Sequence, residues 1–330
     1  MPETKRTEQE MKIVAYRGFS AAAPENTMKA FQSAILTGAS GIQLDLHVSR
    51  DGELVIFHDD AMSRLMDGVG FIRHHTLQDL KSYRFKEAME EETIRIPTLK
   101  EYFSWARDLP HFTVIRLQND HFFYPNMEEA VISLVEEYGL KDKVILTSKN
   151  VSSLQMIKTF RPDFSTAYIA EKGDEEEISE IKNLSASMIL INRTLLRKEN
   201  MSRFKRLGLP LYVYVVDDPL VLDLCREFEV DGILTREVTD IQELLQLTNP
   251  YSEDILSTAR LKPIPEEEEG QKDEEKSSPL LTAKEKFFHV HGGKKKNRNK
   301  GGVIASIIFS VISASAITFF IMRVIENMLN

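Results

Sequence analysis

From Met11 to about residue 248 the chain repeats one alternation, a short apolar run followed by an amphipathic stretch at helical spacing. The strand-like runs are KIVAY, GIQLDLHV, LVIFH, FTVIRL, KVILTS, FSTAYI, ASMILI, PLYVYVV and DGILT. Between them lie helical patterns such as TMKAFQSAILTG, TLKEYFSWARDL, NMEEAVISLVEEYG and VSSLQMIKTF. Strands separated by helices pair in parallel, because a tight hairpin cannot join them. About eight such units in roughly 240 residues fit a closed α/β barrel of the (β/α)8 (TIM) type, for which about 250 residues is usual. A doubly wound open sheet is the alternative, and no glycine-rich dinucleotide fingerprint follows the first run to favour it.

Five segments follow from where this pattern starts and stops. Residues 1–10 form a polar tail without the apolar stretch of a signal peptide, and residues 11–248 form the barrel. Residues 249–301, with PIPEEEEGQKDEEKSSP, are too rich in proline and charge to bury a core and are expected to be a disordered linker. Residues 302–323 contain Val303–Met322, 20 positions without a charge, which at about 1.5 Å per residue just span a bilayer's hydrocarbon. Residues 324–330 are a short tail. Lys294, Lys295, Lys296, Arg298 and Lys300 precede the apolar run. By the positive-inside rule they place the barrel on the cytoplasmic side of a single-pass C-terminal anchor. The same cluster can also meet anionic lipid headgroups.

The net charge of −9 argues against general nucleic-acid binding. The single cysteine, Cys225, excludes an intrachain disulfide and sits in an apolar helical pattern, so it reads as core. Trp105 shares a helical stripe with Tyr102, Phe103, Ala106 and Leu109 and also reads as core. His74 and His75 fall in a polar loop and read as solvated, and His47 reads as a residue of the rim.

One ordered set of short motifs carries the chemistry: Tyr16-Arg17-Gly18, Ala23-Pro24-Glu25-Asn26-Thr27, Ile42-Gln43-Leu44-Asp45, Asp51-Gly52 and His58-Asp59. IPTLKEYF at 96–103, FYPNMEEAV at 123–131, YVYVVDD at 212–218 and DGILT at 231–235 continue it. In order and spacing these resemble the glycerophosphodiester phosphodiesterase family over residues 12–240, a TIM barrel of the phospholipase-C-like phosphodiesterase type. The resemblance implies a Ca²⁺ or Mg²⁺ ion held by two glutamates and an aspartate, two histidines as general acid and base, and an arginine gripping the phosphate.

Carried over position by position, the set departs from that pattern. Asp45 keeps one metal-ligand carboxylate, while Gln43 and Arg116 stand where the glutamates belong. Gln118 stands where the resemblance implies lysine, Tyr16 replaces the first histidine, and Arg17 and His58 remain. Three carboxylates thus become Gln43 (0), Asp45 (−1) and Arg116 (+1), which sum to zero. Hard dications need clustered anionic oxygens, so no metal cofactor is expected at this site. A phenol titrates near pH 10, so Tyr16 does not replace a histidine as acid or base at neutral pH.

Three outcomes stay open for the altered site. Arg116 can pair with Asp45 and plug it; Arg17, Arg116 and His58 can form a phosphate-binding pocket; or catalysis can run by another route. The reading that combines these is a membrane-anchored, catalytically degenerate relative of the phosphodiesterases. Its expected partners are membrane lipid, a glycerophosphodiester or phosphate ligand, or a membrane protein. The alternatives are an active glycerophosphodiester or lysophospholipid phosphodiesterase and a structural scaffold with a closed pocket.

Overall fold

The structure, a computed structural model, describes residues 10–88, 94–247, 249–251 and 253–261. In chain order its elements are β1 (Lys12–Tyr16), α1 (Met28–Leu36), β2 (Gly41–Val48), β3 (Leu54–Ile56), α2 (Leu77–Ser82), α3 (Leu99–Ala106), β4 (Phe112–Leu117), α4 (Met127–Glu137), β5 (Val144–Ser148), α5 (Val151–Phe160), β6 (Thr166–Ala170), α6 (Glu175–Leu184), β7 (Met188–Asn192), α7 (Lys198–Lys205), β8 (Leu211–Tyr214), α8 (Pro219–Glu227), β9 (Gly232–Thr235), α9 (Val238–Leu245) and α10 (Glu253–Leu261).

β1 pairs in parallel with both β2 and β9, so the ring β1-β2-β4-β5-β6-β7-β8-β9 closes on itself. The eight-stranded parallel barrel expected from the alternation is the fold. The run containing Leu54–Ile56 is a strand too, but it lies outside the ring and pairs antiparallel to β2.

Alternation along the strands sorts side chains into two cores. Val14, Val114, Ala167, Met188, Leu190, Tyr212 and Leu234 form a cluster drawn from strands alone, which fills the barrel interior. Residues one position away, such as Ile13, Leu44, Ile115 and Ile189, join helix residues Phe31, Tyr102, Trp105 and Phe204 in the outer layer. Trp105 and Cys225 are buried there, as expected. A third cluster around Phe57, Met66, Leu80 and Phe85 stabilises the segment between β3 and α3.

Helix starts are set by local chemistry. Thr27 Oγ1 accepts from Ala30 N at 3.2 Å, and Asp218 caps Leu220 N at 2.7 Å with Pro219 at the first helical position. Thr98 and Glu101 form a reciprocal capping box. Each such cap stabilises its helix by about 1 kcal/mol.

The periodic fold does not stop at 248: α10 packs on α1, Leu256 is buried, and Tyr251 donates its hydroxyl to Ala39 O at 2.5 Å. The linker expected over 249–301 is therefore corrected at its start. The apolar face of α10 (Ile255, Leu256) was too short a signal to stand out beside the charged run that follows. The rest of that linker, the membrane span at 302–323 and the tails 1–9 and 324–330 lie outside the described residues. Among the described residues no helix is long and apolar enough to cross a membrane.

Candidate functional site

The altered motifs converge where β1, β2 and β4 end, at the C-terminal mouth of the barrel, the face on which such barrels build their sites. Register puts Tyr16 opposite Gln43, and Asp45 opposite Arg116. Gln43 and Asp45 are two apart on one strand and so face the same way. The turn after β1 is held in the left-handed region at Arg17 (φ 60°) and Gly18 (φ 78°). A Cβ on Gly18 would lie 2.7 Å from Ala30 Cβ, so only glycine lets β1 meet α1 this closely. A non-glycine residue in that region costs about 1 kcal/mol, and the Arg17 contacts offset it.

Asp45 is fully buried, and its carboxylate is enclosed by nitrogen. Oδ1 accepts from Gln43 Nε2 at 3.1 Å and from Gln118 Nε2 at 3.0 Å, and Oδ2 accepts from Asn26 Nδ2 at 3.0 Å. Arg17 Nε stands 3.1 Å from Oδ2 as an ion pair, although its N–H is not aimed at the oxygen. Burial alone would raise the Asp45 pKa. The charges of Arg17, then His58 and Arg116, outweigh it and hold the carboxyl below its usual range.

The expected plug is therefore corrected: Arg17 pairs with Asp45. Arg116 turns to Asp120, with Nη2 3.4 Å from Oδ2, and its buried Nε has no hydrogen-bond partner among the described residues. Arg116 is the cross-strand partner of Asp45, but the left-handed turn at 17 swings the nearer guanidinium back over β2.

An ionic chain continues outward. Arg17 Nη1 donates to Glu25 Oε1 at 2.9 Å, and Arg64 Nη2 donates to the same oxygen at 2.6 Å. Arg64 Nε reaches Asp59 Oδ2 at 2.5 Å, and Asp59 Oδ1 lies 2.6 Å from His58 Nδ1. Glu25, His58 and Asp59 bring ligand atoms within 4.8 Å of one another, yet both carboxylates already meet arginine, Glu25 through Arg17 and Arg64 and Asp59 through Arg64.

Tyr16 Oη accepts from Arg17 Nη2 at 3.1 Å. Burial, then the Asp45 charge, pushes its phenol above the ordinary value, which removes it further from neutral acid–base chemistry. His47 is buried rather than on the rim. Its Nε2 lies 3.1 Å from His58 O, which can only accept, so Nε2 carries the proton and Nδ1 accepts from Tyr124 Oη at 3.0 Å. Burial lowers the His47 pKa, and the ring is a neutral strut between the two mouth loops.

Above this floor opens a cavity of about 380 Å³. Tyr16, Gln43 and Arg116 line it, with Lys149, Asn192 and Tyr214 across from them. Arg17, Asp45 and His58 do not line it. Lys149 Nζ pairs with Glu171 at 2.7 Å, which leaves the loosely held Arg116 as the strongest anion-seeking group at the wall.

The donor set does not fit a dication. Gln43 Oε1 already accepts from the Arg17 backbone N at 3.1 Å, so its amide nitrogen, not its oxygen, faces Asp45. Gln118 and Asn26 likewise present nitrogen, and Arg116 brings a guanidinium where a carboxylate would have to stand. Asn26, Glu25 and Arg64 were not singled out from sequence as site residues. The position of Asn26 and Glu25 inside APENT was the signal available, whereas Arg64 reaches Glu25 only through the fold of the segment after β3.

Comparison with known proteins agrees with the motifs. Residues 17–239 match the glycerophosphoryl diester phosphodiesterase family. A glycerophosphodiester phosphodiesterase of Caldanaerobacter subterraneus subsp. tengcongensis is 30% identical over 238 residues, which cover 71% of this chain and 97% of that protein. A solved glycerophosphodiester phosphodiesterase from Agrobacterium tumefaciens matches with a TM-score of 0.61 at 25% identity, over 70% of this chain and 98% of its own. A phosphodiesterase of Oleispira antarctica, solved in complex with the product sn-glycerol-3-phosphate, matches with a TM-score of 0.65 at 23% identity, over 71% and 96% of the two chains.

Proposed function

The chain belongs to the glycerophosphoryl diester phosphodiesterase family, and we propose that it binds phosphate esters at a membrane without hydrolysing them through a metal. One observation carries this reading: three side-chain amide nitrogens and Arg17 occupy the space around Asp45, the one retained carboxylate. The N–H donors and the guanidinium on the Asp45 oxygens disfavour a cation there, and without the cation nothing polarises a phosphoryl oxygen or activates water. The lost histidine removes a further factor of about 100 to 10,000.

The mouth remains suited to an anion. Arg116 has unspent donors at the cavity wall, and guanidinium matches phosphate geometry. The ligand is a phosphate mono- or diester derived from phospholipid, carried in a cavity that also offers Tyr16, Asn192 and Tyr214. The charge-free run at 303–322 anchors the chain in a membrane, with the basic residues before it on the barrel's cytoplasmic side. Membrane lipid, or a membrane protein that presents such an ester, is the partner, and nucleic acid is not.

Calorimetry on the full chain in nanodiscs tests this. Glycerophosphodiester or sn-glycerol 3-phosphate should bind with no requirement for Ca²⁺ or Mg²⁺, and neither ion should bind at micromolar concentration. Micromolar metal binding coupled to release of an alcohol from glycerophosphodiester would sink the proposal. That second reading, an active hydrolase, draws on His58 and Asp59 at 2.6 Å and on the 30% identical phosphodiesterase.

A further inference from the structure

We propose that Val69, Phe71, Phe122 and Phe123 form a membrane-docking rim that turns the barrel mouth toward the lipid headgroups; this rests on the reading that the chain is attached to a membrane. The residues come from two segments, the connection between β3 and α2 and the connection between β4 and α4. The β4–α4 connection follows the mouth end of β4, and the segment after β3 is joined to it by His121 and Asp60, so the rim borders the face that carries the cavity.

The rim is a built surface. Val69 is 73%, Phe123 61% and Phe71 40% exposed. The Phe71 and Phe122 rings meet edge to face with centroids 5.2 Å apart. Arg73 stacks over Phe122 at 5.0 Å and over buried Tyr124 at 5.8 Å. His121 Nδ1 lies 3.0 Å from Asp60 Oδ2 and ties the two segments together, while Phe71 bridges to Ala61 through the backbone. Single exposed apolar residues need no explanation, but several fixed beside one another mark a contact surface.

The chemistry selects a bilayer interface as occupant. Phenyl rings enter the boundary between headgroups and acyl chains, and an arginine behind them stays at phosphate depth. The chain outside the described residues supplies the second argument. After residues 262–302, with their basic cluster, comes the 20-residue charge-free run that ends at Met322. A barrel tethered this way meets the surface at high effective concentration, so a small aromatic rim is enough to orient it.

The test uses the full chain in phosphatidylcholine–phosphatidylglycerol vesicles with Phe123→Trp as a probe. Trp105, the only native tryptophan, is buried and supplies a background measured on the unsubstituted protein. The added emission should shift to the blue and be lost when the acyl chains are brominated. Adding Phe71→Ser should reduce both effects. A solvent-like spectrum unaffected by bromination, in vesicles that keep the chain through an alkaline carbonate wash, overturns the rim and leaves the anchor. Quenching in vesicles from which carbonate strips the chain keeps the rim and overturns the anchor. Stripping without prior quenching overturns both.

Discussion

Gln43 Nε2 donates to Asp45 Oδ1 across 3.1 Å, between two side chains on the same face of β2. Where a metal site sets carboxylate beside carboxylate and fills the gap with a cation, this pair sets amide beside carboxylate and needs no cation. The substitution at 43 is electrostatically self-contained.

Gln43→Glu should therefore destabilise the protein by roughly 2–4 kcal/mol without metal, since a second charge then sits unpaired against buried Asp45. Millimolar Ca²⁺ should restore part of the loss. Thermal unfolding with and without Ca²⁺ measures both. A stable variant indifferent to Ca²⁺ would show that Arg17 alone absorbs the added charge.

Arg116→Met should leave stability within about 1 kcal/mol or improve it, because among the described residues the guanidinium holds only a 3.4 Å contact to Asp120. Binding of sn-glycerol 3-phosphate should weaken about 10- to 100-fold, the worth of a hydrogen-bonded charge. Calorimetry against urea denaturation separates the two effects. Equal affinity in variant and parent would move the anion site away from the cavity wall.

The barrel was legible in the sequence because each strand run is apolar, short and separated by a helical pattern. The family motifs fixed which strands end at the site. What sequence did not disclose was which arginine meets Asp45. Arg116 is its cross-strand partner, yet the contact goes to Arg17, because the left-handed φ at 17 redirects a neighbouring side chain. Gln118 was visible only as a departure from the family pattern, and its role as a donor depends on reaching Asp45 from one position beyond β4. The burial of His47 escapes the sequence for a related reason: alternation gives the face of a strand but not what covers its end. Tyr124, 77 positions away, covers it.

Tyr124→Phe should cost about 1–2 kcal/mol, since it removes the donor to buried His47 Nδ1 and keeps the ring. Hydrogen exchange of the 118–126 segment should quicken together with the amides near His58, whose carbonyl His47 holds. Faster exchange in only one of the two segments would mean that the His47 strut does not couple them.

The acid limb of stability should start well above the carboxylate range. Burial, then Lys143, depresses the His111 pKa to about 3, so its folded value lies below the unfolded one. Stability is then complete above about pH 6.5 and falls toward pH 3, at up to about 1.4 kcal/mol per pH unit for one proton. His47 shifts the same way, whereas depressed Asp45 adds its loss only below about pH 3.9. Urea denaturation at several pH values between 7 and 4 should show a shallower slope in His111→Gln than in the parent. Identical slopes would assign the upper part of the limb to His47 or to another group.

The strongest test of the proposal that this site holds no metal is to rebuild the family's ligand set. Tyr16→His, Gln43→Glu and Arg116→Glu together restore three carboxylates at 43, 45 and 116 and a histidine opposite position 43. Asn26 and Gln118 still donate to Asp45, but each can rotate away once a dication draws the oxygens inward. The triple variant should bind Ca²⁺ or Mg²⁺ and gain metal-dependent release of alcohol from glycerophosphodiesters, against a silent parent. A parent that already hydrolyses, with activity lost on His58→Ala, would instead place working chemistry in the His58–Asp59 pair. A triple variant that binds metal but stays silent would locate the remaining block in Arg17, which is held between Asp45 and Glu25 and not free to grip a phosphate.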